Sequence, residues 1–332
     1  MSICKLDEQK GRGGLQVRNV VTPLLTSGMC FWKGNLMSRS KKESRMGYLF
    51  IAPVAILFAV FIVYPIVYNV AISFYEWNGI EVNRTFCGIQ NYVRLFHDPI
   101  MMRSMINFVL IAVFTTLIQA FLGIIFASFF IRKIPFSKAY RILFYLPVIA
   151  TPTIVGDLFS KIFETNRGNL NVFLHAIHMD FLCQQWLASS KTAMLCIIFV
   201  NIWQWTGYSM LMYYANMLTI PQDLYESAEL DGANSVQRFL HITFPMLRRT
   251  HSTLVILGVL GALKCFDLPY VLTRGGPAHA TETFSTYLYT QSFNHFRQGM
   301  ASAIAVVMLI IALIVTFIQL RIYIRQDKEA QG

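Results

Sequence analysis

The chain has 332 residues, 55% of them apolar and only 14% charged, with 28 Lys and Arg against 17 Asp and Glu. An ordinary globular protein carries about 25% charged residues, so a soluble fold of this length could not cover its surface with so few. Mean hydropathy of +0.50 points the same way, which excludes a secreted enzyme, a cytosolic domain and a disordered regulator and leaves an all-α, polytopic membrane protein.

Residues 1–44 are polar and basic, without a helical stripe or a secretory apolar core, and are expected to be a disordered cytoplasmic leader. Met37, followed by Ser38, Arg39, Ser40, Lys41 and Lys42, reads as a second start, which would make residues 1–36 a loose tail or an upstream extension. A bilayer core is crossed by about 20 apolar residues in helix. Six stretches reach that length: 48–74, 106–131, 142–163, 192–214, 254–271 and 301–323. The third is interrupted by Pro147 and Pro152 and has Asp157 and Lys161 near its end. It is kept as a kinked span, because neighbouring helices can satisfy carbonyls that proline frees. The short turn through Pro135 makes the second and third spans antiparallel neighbours. Residues 45–326 thus form one transmembrane domain, and 327–332 a cytoplasmic tail.

Orientation follows from the basic residues. Residues 1–45, 132–141, the segment around Arg238–Arg249 and the end of the chain from Arg321 on hold 19 of the 28, which predicts that both termini are cytoplasmic. The cysteines do not form a framework. Only Cys87 and Cys183 fall in polar loops, and a disulfide between them is an alternative that the layout does not favour. His175 and His178 are the nearest approach to a metal-ligand pair, and on spacing alone they read as one amphipathic surface. No metal, cofactor or nucleic acid is expected.

Between the fourth and fifth spans, residues 218–250 are written as two short helices rather than a linker. Thr219 can cap the first, Pro221 suits its opening turn, and Asp223 and Glu226 favour its positive end. Gly232 ends it, Asn234 or Ser235 starts the second, and Pro245 stops that one. The first helix carries Asp223, Glu226 and Glu229, followed by Asp231, and no basic residue. An anionic leaflet would repel it, whereas an interfacial helix usually has a basic polar face. A protein partner fits better than a lipid surface.

These residues resemble the EAA motif of permease subunits in ATP-binding-cassette importers fed by a binding protein. Glu226-Ser227-Ala228, Asp231-Gly232-Ala233, Phe239, Ile242 and Pro245 carry the likeness, with Ser227 in place of the middle Ala. Residues 86–92, 96–99 and 267–277, and Gly168-Asn169-Leu170-Asn171 with Trp186-Leu187, are similar to the carbohydrate-uptake branch. The resemblance runs from about Tyr48 to Tyr323. It implies that Glu226, Ser227, Ala228, Asp231, Gly232 and Ala233 lie at a joint with a cytoplasmic ATPase dimer. It also implies a second, different permease subunit, an extracytoplasmic solute-binding protein, and an inner-membrane location. The chain itself has no Gly-x-x-x-x-Gly-Lys phosphate loop, so it is not the ATPase, and no hydrolase motif marks it as an enzyme.

Candidate substrate contacts lie in the fourth span, where Asn201, Trp203, Gln204, Trp205 and Tyr208 combine ring faces with amides. An interfacial aromatic belt is the plain alternative, but amides at mid-span are costly without partners. In one family member, the larger maltodextrin permease subunit, the sugar site uses this part of the corresponding span. The likeness carries it onto Asn201, Gln204, Trp205 and Tyr208. The matching positions of span five are the small residues Gly258, Gly261, Ala262 and Cys265. Gly258 and Gly261 would then allow close packing on the second permease. Lys264 and Asp267 are ionisable residues inside a span, either facing a water path or pairing with each other at i, i+3. The implied cargo is a sugar, an oligosaccharide or a polyol phosphate. Two other classes stand beside this reading. One is an ion-coupled carrier, although no internal repeat supports it. The other is a membrane enzyme using Asp157, His175 and His178.

Overall fold

The computed structural model describes residues 41–131 and 135–331, with side chains from Tyr48 to Arg325. The leader up to residue 40 lies outside the described residues, as do 132–134 in the turn before Pro135. The chain divides into two units, the first ending at Pro65 and the second starting at Ile66, and each is taken by itself.

In the first unit, helix α1 (Lys41–Phe58) begins within the polar leader, earlier than the apolar pattern implies, and passes into a π turn (Ala59–Val63). Helix α2 (Tyr64–Ile72) then crosses the boundary between the units. Residues Tyr48–Ile72 form an apolar stretch of spanning length.

Among the described residues of the second unit, the strands form one two-residue ladder, Tyr75–Glu76 (β1) against Thr85–Phe86 (β2), and the other regular elements are helical. Helix α3 (Gln90–His97) follows, then α4 (Pro99–Phe130), a 32-residue helix. Asp98 caps α4 by accepting from the Ile100 N–H at 2.8 Å, with Pro99 in the first turn where no donor is needed. Asp98 also accepts from the hydroxyl of Tyr287. Burial first, and then this carboxylate, push the Tyr287 phenol above its usual range. Asn91 holds the hairpin in place, its Nδ2 donating to the carbonyls of Ser73 and Tyr75. Two of the family-like stretches therefore serve as anchors for loops.

The third span is broken rather than kinked. Helices α5 (Ser137–Ile149) and α6 (Pro152–Ile162) meet at 93°, because Pro152 has no N–H to continue the ladder and the Ala150 backbone is extended. Next come α7 (Asn169–Ala176), a 3-10 turn (Asp180–Leu182) and α8 (Ala193–Met217). Helix α8 is central, packing on α4, α5 and α6. Gly207 is the reason it lies so close to α5, since a Cβ there would sit 2.1 Å from the Phe144 carbonyl. Phe126 and Phe130 of α4 contact Phe144 of α5 at ring separations of 4.8 and 5.6 Å.

After α8 come α9 (Gln222–Leu230), α10 (Ser235–Arg238), a π turn (Phe239–Thr243) and α11 (Phe244–Met246). Then α12 (Arg248–Leu263) and α13 (Asp267–Thr273) form a second bent pair, at 44°. The break is stitched by side chains: Thr283 Oγ1 donates to the Cys265 carbonyl at 2.8 Å and Ser285 Oγ to that of Leu263 at 3.4 Å. Helix α14 (Phe284–Tyr289), a π turn (Thr290–Asn294) and α15 (Gln298–Gln331) complete the chain. Among the described residues, four helices are long and apolar enough to cross a membrane, or up to six when each bent pair counts as one span.

Candidate functional site

A cavity of about 420 Å³ opens between α4, α8, α12 and the start of α13, and Asn201, Gln204, Trp205, Tyr208, Lys264 and Asp267 all line it. Positions 201, 204, 205 and 208 share one face of α8 by helical periodicity. Trp203 does not belong to the set. It points away and meets Phe159 edge-on at 5.2 Å, because two residues on from Asn201 is a turn of roughly 200°.

Gln204 is fully buried, and its Nε2 donates to the Ala150 carbonyl at 3.0 Å. That carbonyl lies at the break between α5 and α6, so the amide satisfies an acceptor that the broken ladder would leave open. Its Oε1 is buried without a partner, as is Thr116 Oγ1 across the cavity on α4. Gln119, also on α4, donates from Nε2 to Asn201 Oδ1 at 3.0 Å and to the Asn201 carbonyl at 3.1 Å. This fixes the Asn201 amide with its oxygen occupied. Trp205 and Tyr208 stand edge to face, 6.4 Å apart. The site therefore offers ring faces together with acceptors held away from water, a pairing suited to a polyhydroxylated solute.

The Lys264–Asp267 pairing is not found. Lys264 ends α12 and Asp267 opens α13, so the two no longer share a helix face, and neither makes an ion pair among the described residues. Asp267 is well placed for the positive end of α13. Gly258 also departs from expectation. A Cβ there would lie 2.1 Å from Thr116 Oγ1, so its smallness serves the α12–α4 crossing inside this chain, whereas Gly261 borders open space. Thr116 and Gln119 were not singled out from sequence, although polar side chains inside an apolar span were the signal to follow.

The segment after α8 is a second feature. Helix α9 ends at Gly232, whose φ of +80° is the left-handed conformation glycine adopts freely. The Ala233 N–H reaches back to the Ala228 carbonyl at 2.9 Å, and Asp231 N–H to that of Ser227 at 3.1 Å. Asn234 caps α10 in a reciprocal box with Gln237. Glu229 and Arg238 join the two helices at 2.9 Å. Thr219 does not cap α9 but donates to the Asn216 carbonyl at the end of α8, at 2.8 Å. The second helix does not stop before Pro245, since the π turn carries it through Met246. No residue of α9 is buried. Leu230 is 90% exposed, and the side chains of Glu226 and Asp231 make no ion pair among the described residues. Ala228, Asp231, Gly232 and Ala233 line a hollow of about 310 Å³ with Gln237, Arg238, His241 and Ile242. Glu226 and Ser227 lie outside it, and Ser227 Oγ donates to the Asp223 carbonyl at 2.8 Å.

The segment is tied to the bundle through His251. Its Nε2 faces the Phe244 carbonyl at 3.1 Å, which can only accept, so Nε2 carries the proton and Nδ1 accepts from the Tyr213 hydroxyl at 2.7 Å. Asp157 is paired with Lys161 at 3.0 Å, and the group gathered with His175 among the described residues is Asp180 and Cys183, without Asp157 or His178. Cys87 and Cys183 are free thiols.

Apolar helices with two broken members, gathered around a cavity lined by aromatic rings and a few amides and trailing an exposed helix pair, define a membrane permease scaffold. Residues 119–327 match the family described as the binding-protein-dependent transport system inner membrane component. The chain belongs to that family. It is 41% identical over 278 residues to the probable ABC transporter permease protein YurN of Bacillus subtilis (strain 168), covering 83% of this chain and 95% of that protein. It is 32% identical over 277 residues to the lactose transport system permease protein LacF of Rhizobium radiobacter, covering 82% and 92%. A chain from the crystal structure of a bacterial ABC transporter involved in import of the acidic polysaccharide alginate shares the fold. The TM-score is 0.72 at 24% identity, over 88% of this chain and 99% of that one.

Proposed function

We propose that the chain is the permease subunit of an ATP-driven importer for a sugar or oligosaccharide, with six spans and both termini in the cytoplasm. A binding protein delivers the solute from outside. The 218–250 segment docks on a cytoplasmic ATPase dimer, and a second permease closes the open side of the cavity. ATP-driven closure of the ATPases moves the α9–α10 pair. At the far end of the segment the Phe244 carbonyl is held by His251 of α12, which also bonds Tyr213 of α8, and this link passes the movement to the walls of the cavity, which opens in turn to each side.

The observation that carries this reading is the convergence of Asn201, Gln204, Trp205 and Tyr208 on one cavity, with buried oxygens on Gln204 and Thr116 that lack partners. Hydroxyl groups can donate to such oxygens while rings cover the apolar face of a sugar. Relatives named for lactose and for arabinooligosaccharides support the cargo class. One alginate transporter has been crystallised with a pentasaccharide-bound periplasmic protein, which supports the delivery step.

The test is copurification of the full chain, tagged at its C-terminus, from a mild detergent. Wild type should bring down an ATPase subunit, whereas Gly232→Pro and Glu226→Lys should lose it. Proline cannot adopt the +80° φ of Gly232, and Glu226→Lys reverses a charge on the exposed acidic helix. Full retention by both variants would remove the docking role from this segment.

A further inference from the structure

We propose that His175, Asp180 and Cys183 form a binding site for a borderline divalent cation of the Zn²⁺ class, on the segment joining α6 to α8. The Nδ1 of His175, a carboxylate oxygen of Asp180 and the Sγ of Cys183 all lie within 4.8 Å of one another. Spacing along the chain does not reveal this group, because a reversal after α7 creates it. His175 sits in the last turn of α7, and His178 takes a φ of +58°. The Met179 N–H then returns to the Leu174 carbonyl at 2.9 Å. The 3-10 turn that follows points Asp180 back toward His175 and brings Cys183 round beside both.

The donor set suits the ion. Nitrogen, oxygen and sulfur ligands bind Zn²⁺ at about 2.0 to 2.3 Å, which places tetrahedral ligand atoms about 3.5 Å apart. Closure therefore needs only small side-chain rotations. A carboxylate, a thiolate and a neutral imidazole balance the charge of a divalent ion, and water can take the fourth position. The mixed donors favour Zn²⁺ or Co²⁺ over Mg²⁺ or Ca²⁺, which prefer oxygen alone.

The support beneath the cluster is firm. Asn171 is buried, its Nδ2 donating to the Thr165 and Gln184 carbonyls at 2.9 and 3.1 Å, while its Oδ1 accepts from Trp186 Nε1 at 2.8 Å. The residue after Cys183 is thus pinned. A simple surface ion pair accounts for His175 and Asp180, which hydrogen-bond to each other. It gives no part to the thiol, whose partner is the Asn171 carbonyl at 3.7 Å. The site does not depend on which side of the membrane the segment faces.

The experiment is a Co²⁺ titration of the purified full chain, carrying no polyhistidine tag, followed by its absorption spectrum. One equivalent should produce a thiolate-to-cobalt charge-transfer band that Zn²⁺ abolishes. Cys183→Ser should lose the band, and His175→Ala and Asp180→Asn should weaken Co²⁺ binding at least tenfold. Cys87→Ser, which alters the other loop thiol, should leave both unchanged. Absence of the band in the wild-type chain, or its persistence in Cys183→Ser, overturns the assignment.

Discussion

Gln204 serves two ends of one amide. Its Nε2 closes the break in the third span while its Oε1 is buried without a partner. Gln204→Leu would leave the Ala150 carbonyl unsatisfied in an apolar interior, at a cost of about 1–3 kcal/mol. The midpoint of thermal unfolding in detergent should fall, and solute uptake should fall with it. An unchanged midpoint would mean that the break stands without this cap. Gly258 offers a sharper test of packing. Gly258→Ala places a methyl 2.1 Å from Thr116 Oγ1 and should destabilise by about 1–3 kcal/mol, whereas Gly261→Ala meets open space. Adding Thr116→Ala should recover part of the loss, and additive effects in that double-mutant cycle would separate the two residues.

Among elements, the joint between α9 and α10 is held locally. Gly232, the reach-back from Ala233 and the Asn234–Gln237 box define its angle. The exposed Glu229–Arg238 pair adds at most about 1 kcal/mol, so Arg238→Ala should keep both the fold and ATPase recovery. His251 is different, because it joins this segment to α8. His251→Ala leaves the buried Tyr213 hydroxyl without its acceptor. It should reduce coupled uptake while ATPase copurification persists, a combination that fluorescence-detected sizing and transport assays can read in one preparation. If uptake is unchanged, movement reaches the cavity by another route.

For the whole molecule, the long exposed apolar runs on α1, α2 and α15 match a bilayer. Reconstituted uptake by the assembled complex should require ATP and survive an uncoupler. Collapse with the uncoupler and indifference to ATP would favour an ion-coupled carrier instead.

Composition and the lengths of the apolar runs were enough to read a polytopic helical membrane protein, and the 218–250 segment two short helices, because membrane insertion and helix capping act on neighbouring residues; the permease reading rested on the resemblance of that segment to the EAA motif. The same resemblance pointed to Asn201, Gln204, Trp205 and Tyr208, whose common helix face follows from their spacing. Helical periodicity places Trp203 off that face. Tertiary structure decided what depends on partners distant in the chain. It turned a kink at Pro152 into a 93° break, capped by an amide more than fifty residues away. It set Gly258 against Thr116, separated Lys264 from Asp267 across a helix break, and supplied Thr116 and Gln119 as the opposite wall of the cavity. A buried polar group's role is set by the partner that satisfies it, and that partner is chosen by packing.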